Sequence, residues 1–517
     1  MNPAVSDTAL DTDHAPLENG MLWLAAMVLA AVNFVALLNM TVANVSVLSI
    51  AGGLAATTSQ GTWVITAYAV GEAITVPLTG WLAARFGPVR VFVWATVLFG
   101  TFGMLCGFST SLGMLVIGRV FQGFSGGPLM PLSQTLLLRI FPKEKAGEAV
   151  GIWTMTTLVA PVVGPILGGY LCDEYSWPWI FFVNTPIAIA CAFFSWKLLK
   201  RYTEPLVRDP IDKVGMGLLI LWVAALQMML DQGKDLDWFA SDEIVALCIV
   251  AVIGFAAFCI WELYEDHPVV DLRVFRHRGF SVSLLTISLA FASTIAVTVV
   301  TPLWLQSFMG YTATVAGYAT AWSGVTSLFL PPIIAYLVTK VDSRKLVFGG
   351  VVWFGLVSLW RAVATTDMGF WDVAIPLMVM GVGMPFIFVP TTILALASVE
   401  EHEMDSAAGL MNFVRTLSGA FACSVVTTTW GDQIARNHAE LAGLADGDHG
   451  VRAMLAHSGM PADAVNQVID YIVTGQSAML ATNQIMAAIG IIVLSAGFAI
   501  WLAPKPTRVM DPSGGGH

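Results

Sequence analysis

Charge is scarce in this chain. Only 11% of its 517 residues are Asp, Glu, Lys or Arg, against about a quarter in an ordinary soluble domain, while 57% are hydrophobic and the mean hydropathy is +0.76. So little charge cannot form a water-facing shell, which excludes a soluble protein with a large buried core. Cysteine pairing is absent as well. Cys106, Cys172, Cys191, Cys248, Cys259 and Cys423 are scattered through apolar segments with no C-x-x-C spacing and no neighbouring His, so they read as small hydrophobes and not as a disulfide or metal set. The first twenty residues contain no Lys or Arg, lack the basic region of a cleavable signal peptide, and read as a disordered tail. No G-x-x-x-x-G-K-[ST] loop occurs, so ATP is not the direct energy source. All eight histidines fall in predicted loops or tails. Gly123-Phe124-Ser125-Gly126-Gly127 matches the serine-hydrolase elbow, but it lies in an apolar helix with no base near it, and the enzyme reading is rejected. The net charge of -11 comes largely from acids in tails and loops and points to no partner, nucleic acid included.

What the chain does have is apolar runs of roughly twenty residues, each long enough to cross about 30 Å of hydrocarbon as a helix. Fourteen are predicted: 21-43, 62-83, 91-109, 112-138, 147-171, 178-199, 214-231, 243-263, 280-307, 315-338, 346-365, 373-398, 409-430 and 478-503. The run 112-138 is expected to be continuous despite Gly126, Gly127, Pro128 and Pro131. Lys and Arg gather on one side: Arg85 and Arg90, Arg139 to Lys145, Lys197 to Lys213, Arg273 to Arg278, Lys340 to Lys345, and Lys505 with Arg508. Only Lys234, Arg436 and Arg452 lie opposite, so the rich side is expected to be cytoplasmic, with both termini on it. Residues 431-477 then form a long periplasmic loop, either a tolerated insertion or a docking surface. Its apolar positions include Leu455, Val465, Val468, Ile469, Tyr471 and Ile472.

A faint internal repeat organises the spans. Gly80-Trp81-Leu82 through Arg85 and Arg90 is echoed by Ala335-Tyr336-Leu337 through Lys340 and Lys345, and the Gly/Pro-broken fourth span by Gly381, Gly383, Pro385 and Pro390 in the twelfth. Two parallel six-helix bundles are expected, 21-200 and 280-503, separated by two inserted helices with linkers over 201-279 and flanked by tails 1-20 and 504-517.

Several motifs carry a family resemblance. The fifth span holds Gly151, Ala160, Gly164-Pro165 and Gly168-Gly169, and the fourth opens with Gly118-Arg119-Val120-Phe121-Gln122-Gly123. Small residues at such spacing let helices approach closely, and Pro165 removes a backbone donor and permits a bend. With Asn39-Met40-Thr41-Val42-Ala43-Asn44-Val45, Ser59-Gln60-Gly61-Thr62-Trp63 and Trp179-Ile180-Phe181-Phe182-Val183-Asn184, the chain resembles the EmrB/QacA subfamily of major facilitator drug:proton antiporters over nearly its whole length. That resemblance implies an all-α major facilitator fold of about 14 transmembrane helices. It also implies proton-driven export of hydrophobic toxic compounds through the inner membrane, an EmrA-type periplasmic adaptor and a TolC-like outer-membrane channel. No cofactor is expected beyond the proton gradient. A carrier of one dedicated metabolite or fatty acid, and an assembly or sensing component without transport, are the alternatives.

Two departures from the family pattern matter: Ala84 stands where the loop signature usually has Asp, and Asn39 where the first-helix motif has Asp. Glu72 is the only carboxylate placed at membrane depth, where a charge costs roughly 2.5 kcal/mol or more. Because burial favours its neutral form, Glu72 is expected to carry the coupled proton, biased by substrate or Arg119. A Glu fixed in an ion pair without turnover is the bland alternative. Asn33, Asn39, Asn44, Gln122, Gln134, Asn412 and Arg415 are candidates for a polar, substrate-lining seam. Arg85, Arg90, Gly164, Pro165, Gly168, Pro128 and Pro385 are candidates for gating or flexure.

Overall fold

The structure, a computed structural model, describes residues 19-56, 58-142, 145-202, 212-234, 236-265, 268-400, 403-447 and 462-504. The expected tails 1-20 and 504-517 therefore lie almost wholly outside the described residues. Long apolar stretches without ladder partners must satisfy their backbone internally, and in lipid the helix is the form that does so. Every regular element among the described residues is accordingly helical.

The first half contains α1 (Asn19–Val45), α2 (Val47–Gly53), α3 (Thr58–Thr75), α4 (Thr79–Phe86), α5 (Pro88–Gly107), α6 (Leu112–Gly126), α7 (Leu129–Ile140), α8 (Ala146–Glu174), α9 (Trp179–Phe182) and α10 (Asn184–Leu199). The inserted pair is α11 (Lys213–Gln232) and α12 (Asp242–Tyr264). The second half holds α13 (Arg278–Phe308), α14 (Ala313–Phe329), α15 (Pro331–Val338), α16 (Ser343–Arg361), α17 (Phe370–Ala397), α18 (Met404–Gly447) and α19 (Ala462–Ala499).

Ten helical stretches are each long and apolar enough to span a membrane by themselves. Four more crossings complete the fourteen: α3 with α4, α6 with α7, α8, and α16. The expectation that 112-138 is one unbroken helix is corrected, because the α6 ladder stops at Gly126 and α7 restarts after Pro128, whose nitrogen has no hydrogen to donate. The second span also breaks, at residues 76-78, and the tenth at Leu330. Those two breaks each precede an eight-residue helix, α4 and α15, and they carry the two copies of the echoed sequence to matching places. Large apolar side chains left outside, such as Trp94, Phe193, Ile253 and Phe329, are more than 60% exposed and cover surface that only lipid can solvate.

The expected loop 431-477 is the largest correction. Residues up to 447 continue α18 and residues from 462 belong to α19, so most of the segment is helix. At 1.5 Å per residue the 44 residues of α18 reach about 66 Å, twice the hydrocarbon thickness. The two helices pair along this extension through Asn437, which donates to the Ser477 carbonyl at 3.3 Å, and His438, 3.2 Å from Asp470. Val465 is buried in this hairpin and Tyr471 and Ile472 are exposed, whereas Leu455 lies outside the described residues. Polar spacing and a low density of large hydrophobes hid this continuation from a membrane-span reading.

The two halves meet at their Lys/Arg-rich ends and also further along α8, where Ile166 packs on Gly317 near the start of α14. A Cβ at Gly80 would lie 3.0 Å from Ser406 Oγ, and one at Gly147 would lie 3.0 Å from the Ala335 carbonyl oxygen. Between the halves α4 and α7 rest on α18, and α8 rests on α14, α15 and α17. The inserted helix α11 reaches both halves at its other end: Asp231 takes a hydrogen bond from Thr66 on α3, and Ser424 on α18 donates to the Leu230 carbonyl at 2.7 Å.

Candidate functional site

Two glycines set the site's geometry. A Cβ at Gly123 would lie 2.2 Å from the Tyr68 carbonyl oxygen, and one at Gly71 would lie 2.4 Å from that of Val120, so α3 and α6 touch backbone to backbone. This closeness brings Tyr68 and Glu72, one turn apart on α3, against the buried Arg119 of α6.

Arg119 is fully buried, and its hydrogen-bond partners among the described residues are neutral. Its Nε donates to the Val64 carbonyl at 3.0 Å, and its Nη1 donates to Asn39 Oδ1 at 2.6 Å and Gln122 Oε1 at 2.9 Å. The guanidinium also lies 4.3 Å from the Tyr68 ring and 5.6 Å from that of Phe181. Cation–π contacts of this desolvated kind contribute about 2 kcal/mol. Asn39, which replaces the family's Asp, is thus a hydrogen-bond acceptor for the arginine without neutralising it.

Glu72 is 7% exposed, and its Oε2 has no hydrogen-bond partner among the described residues. The carboxyl is therefore not locked in an ion pair with Arg119 by direct hydrogen bonding. Nearby, Tyr68 Oη and Gln122 Nε2 are likewise buried and unpartnered. A second group of polar atoms joins the halves. Asn412 Nδ2 on α18 donates to Gln134 Oε1 on α7 at 3.0 Å, leaving Gln134 Nε2 and Asn412 Oδ1 without partners. Three residues further along α18, Arg415 is 1% exposed and donates to Met130 Sδ of the opposite half. Its guanidinium lies 4.8 Å from the Trp153 ring of the first half and 5.2 Å from the Phe291 ring of the second, while Nε stays unpartnered.

The remaining candidates separate. Asn33 donates to Thr156 and Thr157 at 2.8 and 3.1 Å, tying α1 to α8 away from Arg119. The side chains of Asn44 and Pro165 lie outside the described residues. Gly164 and Gly168 face Thr41 and Val42 of α1, so the small-residue motif packs α8 within one half, and only Gly151 turns to Pro331 of the other. Pro128 marks the α6–α7 break, and Pro385 lies inside the continuous α17. Arg85 sits 5.8 Å from the Trp81 ring, and Arg90 lines a lateral groove of about 340 Å³ with Phe86, Trp94 and Pro128. Ser125 of the rejected hydrolase-like sequence donates to the Phe121 and Gln122 carbonyls of its own helix.

Sequence reading missed several participants. Tyr68, Met130, Trp153 and Phe291 surround the two arginines; only Tyr68 carried a signal, its four-residue spacing from Glu72. Besides Glu72, Glu262 is a second carboxylate with little exposure, 1%, in the last turn of α12.

Residues 29–423 match the Major Facilitator Superfamily. The sequence is 42% identical over 498 residues to the Multidrug export protein EmrB of Haemophilus influenzae, covering 95% of this chain and 97% of that protein. It is 39% identical over 508 residues to the Multidrug export protein EmrB of Escherichia coli, covering 97% and 99% respectively. Fatty acid resistance protein FarB of Neisseria gonorrhoeae is 40% identical over 509 residues, covering 98% of this chain and 100% of the relative. Among solved structures, the proton:xylose symporter XylE superposes with a TM-score of 0.59 at 13% identity, covering 94% of this chain and 96% of that one, which speaks to the fold alone. The arginine-bearing bundle, the fourteen crossings and these similarities agree, and the chain belongs to the Major Facilitator Superfamily, within its EmrB/QacA subfamily.

Proposed function

We propose that this chain exports hydrophobic and amphipathic toxic compounds across the inner membrane in exchange for protons. The observation that carries the reading is Glu72, a buried carboxyl with an unpartnered oxygen beside an arginine held by neutral groups. Because no bonded cation holds it in one protonation state, such a carboxyl can bind and release a proton as the surrounding helices change its access to water. The names of the EmrB relatives support multidrug export as the cargo class. Unpartnered polar atoms on α3, α6, α7 and α18, bordered by Trp153, Phe291 and Tyr68, suit ligands with an apolar body and few polar groups.

In this reading the Lys/Arg-rich ends are cytoplasmic, and the helical hairpin of α18 and α19 stands in the periplasm. Exposed Tyr471 and Ile472 there supply the apolar surface for an EmrA-type adaptor leading to a TolC-like channel. A second reading, export of fatty acids alone, is favoured by the FarB relative and by two buried arginines that would attract a carboxylate.

Reconstituted vesicles with an imposed pH gradient test the proposal. Uptake of a fluorescent hydrophobic cation or weak acid should follow the gradient, collapse with an uncoupler, and be inhibited by chemically unrelated compounds. Inhibition by long-chain carboxylates only would select the second reading, and no gradient-driven uptake of either class would reject both.

A further inference from the structure

The inserted pair brings two acids together at its Lys/Arg-rich end. Asp212 caps α11: its Oδ1 accepts the amides of Val214 and Gly215 at 3.0 and 2.9 Å, and its Oδ2 accepts the Trp261 indole N–H at 2.9 Å. Across from it, Glu262 of α12 is 1% exposed, and its Oε2 accepts the Val270 amide of the following linker at 3.1 Å. The other oxygen, Oε1, is buried and has no partner among the described residues. Gly215 shows where that oxygen points. A Cβ at this glycine would lie 2.2 Å from Asp212 Oδ2 and 2.4 Å from Glu262 Oε1, so the two oxygens are separated by no more than the sum of those distances, 4.6 Å. A side chain at position 215 would push between them.

We propose that Asp212 Oδ2 and Glu262 Oε1 hold one proton between them, making the inserted pair a proton-binding site separate from Glu72. Two ionised carboxylates this close, in a place nearly closed to water, repel strongly; one shared hydrogen turns the repulsion into a hydrogen bond. A hard metal ion fits poorly, because calcium takes about six to eight oxygens and magnesium a near-octahedral set. Here the other three carboxylate oxygens already accept N–H donors, which leaves Glu262 Oε1 as the one oxygen of the pair without a donor among the described residues.

The charged and titratable groups nearby do not replace it. On α11 the neighbour is Lys213, which is exposed; on α12 they are Cys259 and, at its end, Glu265. In the linker Asp271 caps the Arg273 amide, and Arg273 Nη2 donates to the Glu265 carbonyl at 3.0 Å. Neither cation donates to the pair, and two further acids make the surroundings more negative. The proton comes from water on the Lys/Arg-rich side and returns there.

The site has a mechanical connection. Glu262 holds Val270, and the linker runs on through the 3₁₀ turn Leu272–Arg276 to Arg276 and His277, which bind Glu403 at 2.9 Å each, one residue before α18. Loss of the proton sets two anions against each other and should free the Val270 amide, loosening the strap between the inserted pair and the second half.

Infrared spectroscopy of the full-length protein in H₂O and D₂O at neutral pH tests the assignment. The wild type should show a deuterium-sensitive carbonyl band of a protonated carboxyl that both Glu262→Gln and Asp212→Asn remove and Glu72→Gln leaves in place. Both substitutions keep size, and Asn still caps α11, so folding is expected to survive and is checked by size-exclusion chromatography. Hydrogen exchange gives a second readout. As pH rises by about one unit above neutral, residues 268-277 of the wild type should come to exchange roughly tenfold faster than those of Glu262→Gln at the same pH, the factor by which one pH unit moves a single proton equilibrium. If neither variant removes a protonated-carboxyl band, or if the linker exchanges identically in both proteins throughout, the shared proton is overturned. Because Glu72 is untouched in these variants, either result leaves the transport proposal to its own test.

Discussion

An arginine at hydrocarbon depth needs acceptors, and Arg119 finds three neutral ones. Removing one exposes what they do. Asn39→Ala takes away the 2.6 Å acceptor and leaves a buried N–H unpaired, which costs about 1–3 kcal/mol and should appear as a lower thermal midpoint of the detergent-purified protein. Asn39→Asp restores the family residue at the same place and forms an ion pair with Arg119. It should raise that midpoint relative to Asn39→Ala, and a midpoint no higher than that of the alanine variant would show that Asn39 does not hold the arginine. The composition disclosed that Arg119, Glu72 and Arg415 were costly and therefore important, since a charge in an apolar run is conspicuous in one dimension. Their partners were not disclosed. Met130, Trp153 and Phe291 are ordinary hydrophobes in sequence, and only the crossing of α7, α8, α13 and α18 gathers them around Arg415.

At the scale of the helix, the apolar runs announced nearly every crossing because 20 residues of hydrocarbon-compatible sequence have few other structural outlets. Their interruptions were harder to read. Pro128 breaks a helix, whereas Pro376, Pro385 and Pro390 stay inside α17, so the residue type alone does not decide. What decides is whether neighbouring helices hold the freed carbonyls in place. The hairpin of α18 and α19 was illegible for the opposite reason: once helices leave the bilayer they need only one apolar face, and a hydropathy scan ends at the interface. Glycine contacts between the halves make their own prediction. Gly147→Leu places a branched side chain against the Ala335 carbonyl at a contact already at 3.0 Å, and the Lys/Arg-rich ends should be unable to close. Alkylation of a cysteine introduced beside Gln134 from that side should become faster, and substrate export should fall by at least about tenfold, since a barrier increase of 1.4 kcal/mol is enough. Unchanged alkylation would show that this contact does not seal the halves.

Across the whole molecule, the strap from the inserted pair to α18 links three parts of the chain, and it has a titratable end. Burial alone would raise Glu403, but the Glu400 amide, His277 and Arg276 outweigh it and hold the carboxyl below the ordinary carboxylate range. A group depressed in the folded state gives stability that is present above its unfolded value and lost as pH falls through its folded one. At its Glu403 end the strap should therefore stay closed at neutral pH and open in acid below the ordinary carboxylate range, seen as faster hydrogen exchange over 272-277. Glu403→Gln should remove that acid transition, and its persistence in this variant would assign the strap to other contacts. Asp342, held low by its hydrogen bond from Arg344, caps α16 in the same compartment, and Asp342→Ala should cost about 1 kcal/mol by loss of the cap.

The proposed proton coupling through Glu72 joins these scales, and Glu72→Gln tests it most directly, because the amide keeps the shape and removes the titration. In proteoliposomes, the variant should still exchange labelled for unlabelled substrate at equilibrium while losing all accumulation driven by an imposed pH gradient. Wild-type accumulation against a concentration gradient by Glu72→Gln would contradict the account and move the coupled proton to another residue.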